Sequence, residues 1–163
     1  MARVCHIVLV CEGWRDSKFA RSFLESSGNW SIIVKPNQRG SGHDWVKRTF
    51  VEEVAKLIRF PEGRGVLGLL DEDGVSGREN EIAEALRGQN LGPHSASEGR
   101  CLLLPTRNLE TWLYWLKCHQ SGARVSIDEI TDFKRRPPAG IARIDNRDCR
   151  SAGEHLYTLD HTQ

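Results

Sequence analysis

Gly65-Val66-Leu67-Gly68-Leu69-Leu70-Asp71-Glu72-Asp73 is an apolar run that stops abruptly in three acidic residues. Bounded by glycine and turn residues, it reads as a strand buried on both faces, the pattern of a parallel sheet. In extended chain alternate side chains share a face, so Asp71 and Asp73 are expected on one side and Glu72 on the other. Two carboxylates set side by side repel unless a proton or a cation sits between them. A hard divalent cation such as Mg²⁺ suits that position. The plainer alternative is an acidic strand end leading into a solvated loop.

Upstream of this run, Val4 to Cys11 is a second buried-strand segment, and it ends in Glu12-Gly13-Trp14-Arg15-Asp16. Phe19, Ala20, Phe23 and Leu24 then recur at helical spacing until Ser26-Ser27-Gly28-Asn29. Trp30 to Lys35 reads as a short strand closed by Pro36-Asn37. The loop from Gln38 to Asp44 follows. A second helix is expected from about Asp44, a plausible N-cap, with Trp45, Phe50, Val51, Val54, Leu57 and Ile58 as its apolar face.

Downstream of the acidic strand, Ser76 and Glu79 have the form of a capping box opening a helix from Glu79 to Leu86. Gly88 to Gly99 reads as loop, and Arg100 to Leu104 as a fourth strand broken by Pro105. Asn108 suits the N-cap of a helix from Leu109 to His119. Strand and helix therefore alternate four times. This predicts a three-layer α/β domain with a mainly parallel four-stranded sheet over residues 1–119. Residues 120–163 read as a helical C-terminal extension, with a short helix near Asp128 to Lys134, a Pro137-Pro138 break and a last helix near Arg147 to Leu159.

The totals exclude several classes. The chain has 163 residues, 39% hydrophobic and 28% charged, which fits one soluble globular domain with a core of its own. No stretch approaches the roughly 18 apolar residues of a membrane span, and no signal-peptide layout opens the chain. Five cysteines without a regular framework suit reduced thiols, so a cytoplasmic location is expected. Cys5, Cys11 and Cys101 read as small buried hydrophobes. Cys118, His119, Cys149 and His155 match no compact zinc pattern. With a net charge of +1, nucleic-acid binding has to come from a local patch. The richest basic stretch is Lys134 to Arg150.

In open parallel sheets, sites form beyond the carboxyl ends of strands. Here the first strand delivers Glu12, with Gly13 permitting close approach, the third delivers Asp71 and Asp73, and the fourth delivers Arg107-Asn108-Leu109-Glu110 at a helix start. Gathering several carboxylates at one edge is costly without a cation.

The ordered pair Glu12-Gly13…Asp16 after a first strand and Asp71-Glu72-Asp73 after a later one resembles the TOPRIM domain, over roughly residues 4–116. That domain is shared by topoisomerases, bacterial primases, OLD-type nucleases and small RNA-maturation nucleases. Leu104-Pro105-Thr106-Arg107-Asn108-Leu109-Glu110-Thr111-Trp112 resembles a segment of small stand-alone TOPRIM-like proteins linked to OLD-type nucleases and bacterial antiviral defence. The resemblance implies a Rossmann-like fold. It also implies that Asp71 and Asp73 bind Mg²⁺ or Mn²⁺, with Glu12 as third ligand or general acid/base. Asp16 and Glu110 would serve a second metal. Lys134, with Arg107 second, is the expected cation beside the scissile phosphate.

Each assignment has a plainer counterpart. Asp16 and Glu110 also suit first helical turns through the macrodipole, Arg107 suits a structural ion pair, and Lys134-Arg135-Arg136 suits a solvated basic face. The Gly40-Ser41-Gly42-His43 loop suits either a phosphate cradle or a surface turn. Trp112, Tyr114 and Trp115 read most simply as core and interface residues.

The two tyrosines, Tyr114 and Tyr157, leave no gate domain for a topoisomerase, and the chain is too short for a primase. The expected function is therefore metal-dependent hydrolysis of DNA or RNA by an endonuclease or nickase, alone, as a homo-oligomer, or as the nuclease subunit of a defence complex. A TOPRIM-like scaffold regulated by an ATPase partner, docking through the Trp-rich helix, is the alternative. A nucleotide-sugar transferase using Asp71-Glu72-Asp73 would leave Glu12-Gly13 unexplained.

Overall fold

The computed structural model describes residues 5–35, 42–72, 77–92, 99–105 and 108–120. Among the described residues eight elements alternate strictly: β1 (Cys5–Cys11), α1 (Trp14–Ser27), β2 (Trp30–Lys35), α2 (Gly42–Arg59), β3 (Arg64–Leu69), α3 (Arg78–Gly88), β4 (Arg100–Leu103) and α4 (Leu109–Gln120). The strands form one sheet in the order β2-β1-β3-β4, and every pairing is parallel. This is the α/β Rossmann-like architecture that the alternation of elements predicts. The C-terminal extension expected over 120–163 lies outside the described residues from 121 onward.

The apolar runs become strands because both of their faces are covered. On one face Leu9, Cys11, Leu67 and Leu69 pack against Phe19, Ala20 and Leu24 of α1 and Leu109, Leu113, Tyr114 and Leu116 of α4. On the other, Val10, Val66 and Leu70 meet Val46, Phe50, Val54 and Leu57 of α2 and Ile82 and Leu86 of α3. The alternation Leu9/Val10/Cys11 is thus split between two cores, as the period of a strand requires. Gly68 marks the tightest crossing: a Cβ there would stand 2.8 Å from both Leu102 Cδ1 and the Phe50 ring. Its bare Cα lets that ring lie against the sheet.

The chain steps from β1 outward to β2, then crosses back so that β3 flanks β1 on its other side. The helices after β1 and β3 accordingly leave to opposite faces, opening a crevice between the carboxyl ends of the two central strands. Cys11 pairs with Leu69 at the last rung, so Glu12 and Asp71 both emerge just beyond it.

Several local expectations change. β3 ends at Leu69, so Asp71 follows the strand instead of belonging to it, and Asp73 lies outside the described residues. Asp44 is not the cap of α2; the helix starts earlier, at Gly42, and Asp44 sits in its first turn, 3.4 Å from Lys47 Nζ. α3 is capped by Gly77 at φ 111°, a left-handed conformation that glycine adopts without strain, and no side chain caps it. Ser76 lies outside the described residues. Cys11 is buried as expected, Cys5 is half-buried and Cys101 is exposed. The last difference follows from topology, because β4 is an edge strand.

Candidate active site at the carboxyl edge of the sheet

Glu12 leaves β1 and turns its carboxylate onto the start of α2. A Cβ on Gly42, the first residue of that helix, would stand 2.6 Å from Glu12 Oε2, so glycine alone admits the carboxylate in this position. The helix N-terminus places partial positive charge against it. On the other side, Arg78 at the start of α3 brings Nη1 to 3.9 Å from Glu12 Oε1. Both side chains are mostly buried, at 13% exposure for Arg78 and 26% for Glu12.

Asp71 stands in the same crevice, against the start of α4. Its Oδ1 accepts a hydrogen bond from the Leu109 backbone N–H at 2.7 Å, joining the end of β3 to the first turn of α4. Asn108, as expected, caps α4, its Oδ1 accepting from Thr111 N at 2.9 Å. Asp16 Oδ2 accepts from Gly13 N at 2.8 Å and ties the start of α1 back onto the turn after β1. Glu110, in the first turn of α4, lies 3.8 Å from Arg15 Nη1.

Four carboxylates on four segments therefore meet at one edge, and the electrostatics record it. The Asp71 carboxyl is pushed up to about 7, first by burial and then by the negative charge of Asp16. The Leu109 N–H opposes that rise, while Glu110 and Glu12 add to it. Burial also drives the Cys11 thiol to about 12, with Asp16 and Glu12 again contributing. At neutral pH this thiol holds its proton and packs as a hydrophobe rather than serving as a nucleophile.

Of the residues singled out in the sequence, Glu12, Asp16, Asp71 and Glu110 are thus brought to one crevice. Asp73, Arg107 and Lys134 lie outside the described residues. Among the described residues, no three of the His, Cys, Asp and Glu side chains converge tightly enough to hold an ion. The donor chemistry nevertheless fits a hard divalent cation: Glu12, Asp16, Asp71 and Glu110 all offer carboxylate oxygens, and burial, together with the charge of its acidic neighbours, raises the Asp71 carboxyl to about 7.

Three neighbours complete the edge: Arg78, which the sequence reading gave no role, and Gly42 and His43, which it placed in a loop suited to a phosphate cradle or a surface turn. Arg78 sits in a polar turn where nothing in the pattern distinguishes it. Gly42 belongs to a glycine-rich stretch that reads as loop, yet it opens α2. His43, beside it, lies 3.1 Å from Glu81 Oε2 and so links α2 to α3. An apolar hollow of about 460 Å³ between α3 and β4 is lined by Ile82, Leu86, Arg100 and Leu102 among others, and by none of the four carboxylates. The described residues include no helix long and apolar enough to cross a membrane. Comparison of the chain with protein-family models, curated proteins and solved structures gives no match.

Proposed function

We propose that this chain is a metal-dependent phosphodiesterase that cuts DNA or RNA, an endonuclease or nickase of TOPRIM type. The observation that carries the reading is the meeting of Glu12 and Asp71 beyond the adjacent central strands, with Asp71 raised to about 7 by burial and by its acidic neighbours. Such crevices are where open α/β sheets place their ligands. A strongly perturbed carboxyl in one of them is a recognised mark of chemistry.

Glu12, Asp71 and, from the sequence, Asp73 would hold Mg²⁺ or Mn²⁺, with Asp16 and Glu110 available for a second ion. Bound there, the metal supplies an activated water and neutralises the oxygen that departs from phosphorus. The protein's own contribution is positional. Asp71 would give up its proton to serve as a ligand, while the Leu109 N–H keeps it oriented. Glu12, held between Gly42 and Arg78, is placed either to ligate or to take a proton from the attacking water. Arg78 is a cation at the same edge whose guanidinium suits a phosphoryl oxygen, a role that the sequence reading gave to Lys134 and Arg107.

The scaffold alternative loses ground on one observation. Leu109, Thr111, Leu113, Tyr114 and Leu116 of the Trp-rich helix are buried, which leaves less of it to offer a partner. The reading places the protein in the cytoplasm, where nucleic acid and reduced thiols are found together. An ATPase-linked role in defence rests on the resemblance around Asn108 to Trp112.

The test incubates wild type and Asp71→Asn with supercoiled plasmid and with a structured RNA, each with Mg²⁺, Mn²⁺ or EDTA. Cutting that needs metal and falls at least a hundredfold in the variant is expected. Equal cutting by the two proteins, or none by either, overturns the proposal.

A further inference from the structure

We infer that Trp14 is a stacking platform for an unpaired base of the nucleic-acid strand, and that Lys18 and Arg21 guide the adjoining backbone along α1. The inference rests on the nuclease reading and adds to it a substrate form, a single strand.

Trp14 is the first residue of α1, two positions after Glu12, and it is 67% exposed. A lone exposed apolar side chain is ordinary. This one opens the helix that follows Glu12. The backbone around it is immobilised twice: Gly13 N is bonded to Asp16 Oδ2, and the Trp14 carbonyl accepts from Ser17 Oγ at 2.7 Å. The indole is therefore held out from a rigid helix start and does not trail from a loop.

Its surroundings are basic. Lys18 Nζ lies 5.3 Å from the centre of the Trp14 ring, a cation–π contact that occupies one face of the indole. Trp14, Lys18, Arg21 and Glu25 recur at i, i+4, i+7 and i+11, which puts them on one stripe of the helix. The same four residues, with Ser17, Ser22 and Val34, line a shallow hollow of about 300 Å³. Arg21 turns Nε to Glu25 Oε1 at 2.7 Å, a solvent-exposed ion pair on the same stripe.

From Trp14 to Arg21 the helix rises about 10 Å, roughly the reach of two nucleotides of an extended strand. The charges complement a polyanion, and the ring complements a base. Stacking of this kind needs a base out of its pair, because a paired base shows its faces only to its neighbours in the duplex.

Anisotropy titrations of fluorescein-labelled oligo(dT), oligo(U) and a blunt DNA duplex test this, with Ca²⁺ replacing Mg²⁺ to prevent cutting. Wild type is expected to bind at least one single strand more tightly than the duplex. Trp14→Ala should weaken that binding about tenfold, and Trp14→Phe should recover most of it. Thermal melts should show both variants as stable as wild type, since the side chain is exposed. Unchanged single-strand affinity in Trp14→Ala, beside a wild type that cuts, overturns the platform and leaves the nuclease standing. Tighter binding of the duplex by wild type also overturns it. A wild type that neither binds nor cuts removes both proposals. Binding through Trp14 without metal-dependent cutting keeps the platform and removes the hydrolysis.

Discussion

Asp71 shows how a single carboxyl can record the state of its surroundings. In the folded protein it keeps its proton up to about pH 7, against an ordinary value of 3.8. Between those limits the native state binds more protons than the unfolded chain, so stability falls as pH rises through the window. The cost is absent below it and complete above it. Allowing for partial exposure, it amounts to on the order of 2 kcal/mol. Asp71→Asn keeps an oxygen for the Leu109 N–H but carries no charge. Thermal melts across pH should therefore show variant and wild type together in acid, with the variant the more stable above neutrality. A gap that opens in the opposite sense would mean that the Asp71 charge is compensated in the metal-free protein. Glu12 and Asp71 were legible in the sequence because each ends an apolar run. Arg78 was not, because a residue in a polar turn declares its partner only once α3 has been placed beside β1.

At the scale of elements, four helix starts converge on the crevice: α1 through Asp16, α2 through Gly42, α3 through Arg78 and α4 through Asp71. The start of α2 gives the sharpest test. Gly42→Ala substitutes a better helix former, so the helix itself loses nothing. Its new methyl would collide with Glu12 Oε2 and drive the carboxylate aside. Metal-dependent cutting should fall at least tenfold while the melting temperature shifts by no more than a few degrees. Undiminished cutting would show that Glu12 works from another position. All four strands and all four helices were legible from periodicity. The starts of α2 and α3 were not, since Asp44 and Ser76 carry strong capping chemistry but Gly42 and Gly77 begin or cap those helices. A side-chain preference was outweighed there by what the neighbouring carboxylate and turn permit.

For the molecule as a whole, metal and proton compete for the same edge. Mg²⁺ or Mn²⁺ bound only by the folded state should raise the melting temperature, by several degrees once the ion is in large excess over its dissociation constant. The rise should shrink below pH 7, where Asp71 is protonated, and should be much smaller in Asp71→Asn. An equal rise in the variant would place the ion elsewhere. The layered α/β plan was legible because it depends only on which runs are apolar. The site was legible only in part, because burial, helix starts and opposing charges become visible when elements meet. That meeting waits for β3 to be made. A chain emerging N-terminus first can pair β1 with β2, yet the other side of β1 stays open until β3, lying beyond all of α2, has been made. The nascent protein thus carries an uncovered strand edge, His6 to Cys11, until β3 emerges. Such an edge invites aggregation or chaperone capture, and the strand that finally covers it is the one that brings Asp71 to Glu12.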